Sequence, residues 1–216
     1  MGHFAVIDLE MCRVPRRVRK EGLMLKNELI QIGAVLLDET YNIVDKFMTY
    51  VSPEYGRVDN FIEDLTGITN DDLKNAPVFE KAMNLFLSWI PKDTVLVAWS
   101  ENDEKQIEKE AETKGIVMPE IESYAGRWID CQKTFAEKMD NQRNYKLSEA
   151  LVIANIESDP REHDALIDAE NTALLFTKIE SEEEFTINPY MSGDFGKVEA
   201  AYTPFAGLLE SLQFAV

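Results

Sequence analysis

"FAVIDLEMCRVPRRVRK", Phe4 to Lys20, runs from an unbroken apolar segment into two carboxylates, Asp8 and Glu10, and then into five cations, Arg13, Arg16, Arg17, Arg19 and Lys20. A short apolar run of this kind reads as a buried β-strand. In an extended strand, residues two apart point to one side, so Asp8 and Glu10 present their carboxylates together at the strand's end. Two converging carboxylates suit a hard divalent cation. Chance alone would give roughly seven acid-x-acid pairs in a chain this rich in acids. Position distinguishes this pair, because acids that end an apolar strand lie where open α/β sheets build their sites.

Working outward, "NELIQIGAVLLD" (27–38) and "YNIVDKFMTYVSP" (41–53) read as two further strands joined by the polar turn "DETYN", which makes an antiparallel three-stranded start. Thr69 to Asp72 has the Ser/Thr-x-x-acid form of a helix start, and Phe79, Ala82, Met83, Phe86 and Ile90 follow at helical spacing. "TVLVAW" (94–99) is the next strand. "DEKQIEKEAETKG" is a charged helix ending at Gly115, "RWIDC" a short strand, and "KLSEALVIANI" and "HDALIDAENTALLFTKI" are helices. Strands first, then helices alternating with short strands, predict a mixed sheet flanked by helices. The length of 216 residues suits one substantial core. We expect a domain over residues 1–180 and an extension over 181–216, beginning near the acidic run "ESEEE". Its "YTPFAGLLESLQFAV" would be an amphipathic helix that closes the domain's own core or pairs with a neighbouring subunit.

The totals narrow the function. No run approaches the roughly 18 to 20 uncharged apolar residues of a membrane span, and no signal peptide or lipidation pattern opens the chain. Cys12 and Cys131 are too few for a disulfide framework. The expectation is a soluble cytoplasmic protein with buried thiols. Forty acids against 22 bases, a net charge of -18, argue against nonspecific binding of polyanions by the whole surface. Any polyanionic partner must be held locally.

Two more segments carry candidate chemistry. Asp103 follows the fourth strand at the opening of a helix, where an acid taken by itself reads first as a cap. His163 and Asp168 lie five apart in "EHDALIDAENTALLF". Five positions on a helix turn side chains away from each other, so His163 belongs on the loop before the helix, swung over the face that Asp168 shows. Asp168, set among Ala165, Leu166, Ile167 and Ala169, is costly to bury without a cation or hydrogen bonds.

Taken together, Asp8-x-Glu10, Asp103 and His163-x-Ala165-x-x-Asp168-Ala169 resemble the three motifs of the DEDDh 3'-to-5' exonucleases, members of the ribonuclease H-like superfamily. "ELIQIGAVLLD", "LTGIT" and "NAPVFEKAMNLFLSWI" extend the likeness over about residues 4–180. Proofreading relatives of the polymerase III epsilon subunit commonly carry His-Asn-x-x-Phe-Asp in the second motif. Ala98-Trp99-Ser100-Glu101-Asn102-Asp103 is more similar to the Trp-Gly-x-x-Asp of the exoribonuclease branch, with Ser100 replacing Gly.

The resemblance implies a ribonuclease H-like mixed sheet, antiparallel over the first three strands and parallel thereafter. It implies two Mg²⁺ or Mn²⁺ ions held by Asp8, Glu10 and Asp168 with support from Asp103, and His163 as the base that takes a proton from water. The substrate would be single-stranded nucleic acid with a free 3' end, RNA favoured over DNA, and the products 5'-mononucleotides. Leu9, Met11 and Trp99 would line the nucleotide pocket, although core packing accounts for Met11 and Trp99 as well. Arg13, Arg16, Arg17 and Arg19 would grip phosphates from the rim or, alternatively, pair with the surplus surface acids. A DNA exonuclease and a silent binding or assembly module stay open. Retention of all five polar positions speaks against silence.

Overall fold

The computed structural model describes residues 2–19, 25–124, 127–159, 161, 163–182 and 184–190. The chain divides at Thr186/Ile187 into two units. Of the second only residues 187–190 are described, where the Tyr190 amide donates to Asn188 Oδ1 at 3.0 Å. The helix expected in the tail, and Lys20, fall outside the described residues.

In the first unit β1 (Phe4–Arg13), β2 (Asn27–Leu37), β3 (Ile43–Tyr50), β4 (Val95–Ala98) and β5 (Trp128–Asp130) form one five-stranded sheet in the order β3-β2-β1-β4-β5. β1, β2 and β3 pair antiparallel, whereas β4 joins β1 and β5 joins β4 in parallel. This is the mixed sheet the patterning predicts. Around it run α1 (Arg16–Arg19), α2 (Asn60–Thr66), α3 (Phe79–Trp89), α4 (Asn102–Lys114), α5 (Pro119–Glu122), α6 (Cys131–Lys138), α7 (Leu147–Ile153) and α8 (Ala165–Ser181). Among the described residues no helix is long and apolar enough to cross a membrane. Cys12 and Cys131 are both unpaired and buried.

The period of two along β1 divides its side chains between two cores. Ala5, Ile7 and Leu9 join Ile32, Ala34, Leu96 and Ala98 under Phe79, Met83 and Phe86 of α3. The opposite face takes α8: the Phe4 ring meets Phe176 at 5.3 Å. Burying one such phenyl ring contributes about 1.5–3 kcal/mol. Ala165, Ala169 and Ala173 are buried and recur every fourth residue, a strip small enough for α8 to lie close on β2. Asp8 and Glu10 share the α8 face with Phe4 and Val6.

Three local expectations need correction. Asp8 and Glu10 do not end the strand, since β1 pairs with β2 as far as Arg13. Its pairing with β4 stops at Ile7, so an edge does open at Asp8, but on one side only. The Thr69 box closes a turn rather than a helix. Thr69 Oγ1 and amide both donate to Asp72 Oδ2, at 2.6 and 2.8 Å, but Pro77 disfavours helical backbone at Ala76 and α3 starts only at Phe79. The basic segment contains a short helix, α1, and is not wholly loop. Gly115 ends α4 as expected, with φ at 66°.

Candidate active site

The N-termini of two helices, α4 and α8, reach the part of β1 that carries Asp8 and Glu10. Asp103, the second residue of α4, is buried, and its own amide and that of Leu9 pull its pKa down. From the other side comes α8. Its N-cap Asp164 accepts from the Leu166 and Ile167 amides at 3.0 and 3.4 Å. The Ala165 amide donates to Gln31 Oε1 on β2 at 3.1 Å, which ties the helix start to the strand. Asp168 then sits one turn into the helix. Its Oδ2 accepts the His163 amide at 2.9 Å, and His163 stands on the preceding loop with φ at 67°, a left-handed conformation that His adopts more readily than most residues.

Glu10, His163 and Asp168 each bring a ligand atom to within 4.8 Å of the others. Burial, followed by the charges of Asp103, Asp168 and Glu10, raises the pKa of Asp8 well above the carboxylate range. Glu10 is pushed up to about 8, by burial and then by Asp168 and Asp103. Burial raises Asp103 to about 7 against the lowering pull of its amide bonds. These carboxylates repel one another and hold protons that a divalent cation would displace. A hard cation with oxygen ligands fits this donor set.

All five sequence-predicted polar residues line a single cleft of about 590 Å³. Leu9, Met11 and Trp99 line it too. Leu9 is also core, and the Trp99 ring leans on Phe135 at 6.4 Å, so packing and exposure to the cleft coexist in these side chains. Arg13, Arg16, Arg17 and Arg19 are not among the lining residues. The Arg13 guanidinium lies 4.8 Å from the Phe61 ring centroid and 4.0 Å from Asp59 on the α2 side. Sequence reasoning missed the segment Tyr145–Ser148, which forms part of the wall.

It also missed Gly33, which pairs with Asp8 across β1 and β2. A Cβ built there would lie 2.1 Å from backbone atoms of Ala165 and Leu166. Glycine inside an otherwise apolar strand often marks such a close approach, and "LIQIGAVLL" carried that signal. Gly33→Ala must therefore push the start of α8 off the sheet and take Asp168 with it. We expect a loss of about 1–3 kcal/mol in urea unfolding together with a loss of turnover. Wild-type values of both would show that α8 does not need this contact.

With this geometry in place, comparison with known proteins is informative. The exonuclease family model RNase_T matches residues 5–176. The chain belongs to this exonuclease family. It is 30% identical over 179 residues to the PolC-type DNA polymerase III of Caldanaerobacter subterraneus subsp. tengcongensis, covering 82% of this chain and 12% of that protein. It is likewise 30% identical over 172 residues to ERI1 exoribonuclease 2 of Danio rerio, covering 68% of this chain and 30% of the relative. The chain thus spans less than a third of either relative. The nuclease domain of 3'hExo, a DEDDh family member bound to rAMP, shares the fold with a TM-score of 0.72 at 24% identity, over 87% of this chain and 96% of that one. Exonuclease-family membership and the ribonuclease H-like sheet agree with the motifs read from the sequence.

Proposed function

We propose that this protein is a metal-dependent 3'-to-5' exonuclease that hydrolyses single-stranded nucleic acid from a free 3' end, RNA in preference to DNA, to 5'-mononucleotides. The observation that carries this reading is the convergence of Asp8, Glu10, Asp103, Asp168 and His163 in one cleft. Asp8, Glu10 and Asp168 hold two divalent cations, Mg²⁺ or Mn²⁺, with Asp103 in support. Bound there, such cations would neutralise the carboxylates, lower the pKa of water and supply charge stabilisation for the phosphate and the leaving 3'-oxygen. His163 takes the proton of the attacking water, the general-base role that histidine fills most often. Asp168 holds the loop that presents it, through the His163 amide. Leu9, Met11 and Trp99 wall the site against the terminal nucleotide. Preference for RNA is supported by Trp99 in the second motif and by the ERI1 exoribonuclease relative. The PolC-type relative supports DNA as the second reading.

Labelled single-stranded RNA and DNA of one sequence, each with Mg²⁺, Mn²⁺ or EDTA, test the proposal. Cation-dependent release of mononucleotides from the 3' end of RNA, faster than from DNA, is expected. Binding without turnover of either strand would leave only the assembly-module reading.

His163→Ala separates base from ligand, since the imidazole is also close enough to Glu10 and Asp168 to touch a cation. As a base, its loss lowers kcat by about 10²- to 10⁴-fold. The Tm gain on adding Mn²⁺ should persist. If that gain disappears with the activity, His163 is a ligand.

A further inference from the structure

Resting on the nuclease reading, we propose that Lys146 is a substrate-binding residue that grips a backbone phosphate of the bound strand other than the one attacked. A polyanion must enter a cleft built around four carboxylates on a chain of net charge -18. Among the described lining residues Lys146 is the one lysine or arginine. Cations nearby are already engaged. Lys133 pairs with Glu101 and Asp130 at 3.1 and 3.3 Å, and Lys105 pairs with Glu101 at 2.5 Å. Arg161 pairs with Asp159, and Arg143 with Glu149, both at 2.7 Å. Lys146 is exposed and has no carboxylate within 4.0 Å among the described residues, so its ammonium is in no ion pair there.

Its backbone is nevertheless held in place. Tyr145 is buried, with its ring edge-on to Phe135 at 5.0 Å and its hydroxyl accepting from Asn141 at 2.8 Å. The Tyr145 carbonyl accepts Gln132 Nε2 at 2.6 Å, and the Gln132 amide donates to the Trp99 carbonyl at 2.8 Å. Gln132 thereby fixes the root of Lys146 to the strand end that carries Trp99. A cation on a fixed root, with a flexible stem and no ion-pair partner among the described residues, suits a point contact to phosphate.

The test compares Lys146→Gln and Lys146→Arg with the wild-type residue. Affinity for a labelled single-stranded oligouridylate is measured against salt in an Asp168→Asn background, and KM in the active protein. Gln should weaken binding roughly tenfold and flatten the slope of log affinity against log salt by about 0.7. Arg should keep the slope. KM should rise more on the oligonucleotide than on a nitrophenyl ester of thymidine monophosphate, which has no second phosphate. Wild-type affinity and slope in Lys146→Gln would overturn the assignment while leaving the nuclease reading intact. Equal losses on strand and ester would place Lys146 at the attacked phosphate and also overturn it. A wild-type protein that turns over neither RNA, DNA nor ester with either cation would instead sink the nuclease reading.

Discussion

Asp8→Asn and Asp168→Asn should each cut turnover of single-stranded RNA at saturating Mg²⁺ to below about one-thousandth of wild type. Bound cations contribute several kcal/mol of charge stabilisation, and each 1.36 kcal/mol is worth about tenfold in rate. Exchanging a carboxylate for an amide opens no cavity, and Asn at 168 can still accept the His163 amide, so the loop stays in place. A second readout separates lost chemistry from lost folding. Without metal the native cluster is a liability: Glu10 at about 8 and Asp103 at about 7 bind protons more tightly than in the unfolded chain. Their raised values make folded stability greatest below the unfolded pKa and lower as pH rises through the folded values. Cations that bind only the folded state should reverse that decline, so the Tm gain with Mn²⁺ should grow between about pH 5 and pH 8. Asp8→Asn should raise the metal-free Tm at alkaline pH and forfeit most of the cation-induced gain. Wild-type turnover in either variant, or a Tm of the native protein indifferent to saturating Mn²⁺ and Mg²⁺, would remove the site assignment.

How far the sequence could lead depended on whether the relevant physics was local. Asp8 and Glu10 were legible because strand periodicity determines their shared side, and His163 because the helix start at Asp164 places it on a loop. The first three strands were legible from apolar runs and one polar turn. The Thr69 box was local too, but the proline further along outweighed it. Other features depended on partners distant in the chain. Glu110 accepts the Leu29 amide from 81 positions away, and Gly33 matters only because α8 returns over it. The arginines after Glu10 are near the acids in sequence. In space they lie off the cleft lining, while Lys146, far along the chain, lies on it.

Lys114→Met should be the most destabilising of these substitutions, for a reason remote from the cleft. The side chain of Lys114, in the last turn of α4, is buried with its ammonium 2.9 Å from Glu28 of β2 and 2.9 Å from Glu110. Glu28 also accepts the amides of Glu54, Tyr55 and Gly56, and Glu110 that of Leu29. Burial alone would lower the lysine's pKa, but the two carboxylates more than reverse this, and Glu110 is itself raised by desolvation. The cluster clips the far end of the Asp103 helix to the strand that carries Gly33 and to the 54–56 loop. Methionine would match the stem's bulk and leave two buried carboxylates without a cation. Removing one partner of a buried pair typically costs about 3–5 kcal/mol, equivalent to a Tm drop of roughly 6–20 °C for a domain of this size. The orphaned acids could recover neutrality only by binding protons, so the Tm deficit against wild type should shrink as pH falls from 8 towards 5. Glu28→Gln with Lys114→Met should recover part of the loss, because it removes one of the unpaired charges. A deficit that ignores pH would mean that the lysine contributes packing rather than charge, and an unchanged Tm would mean that α4 is held to the sheet without the clip.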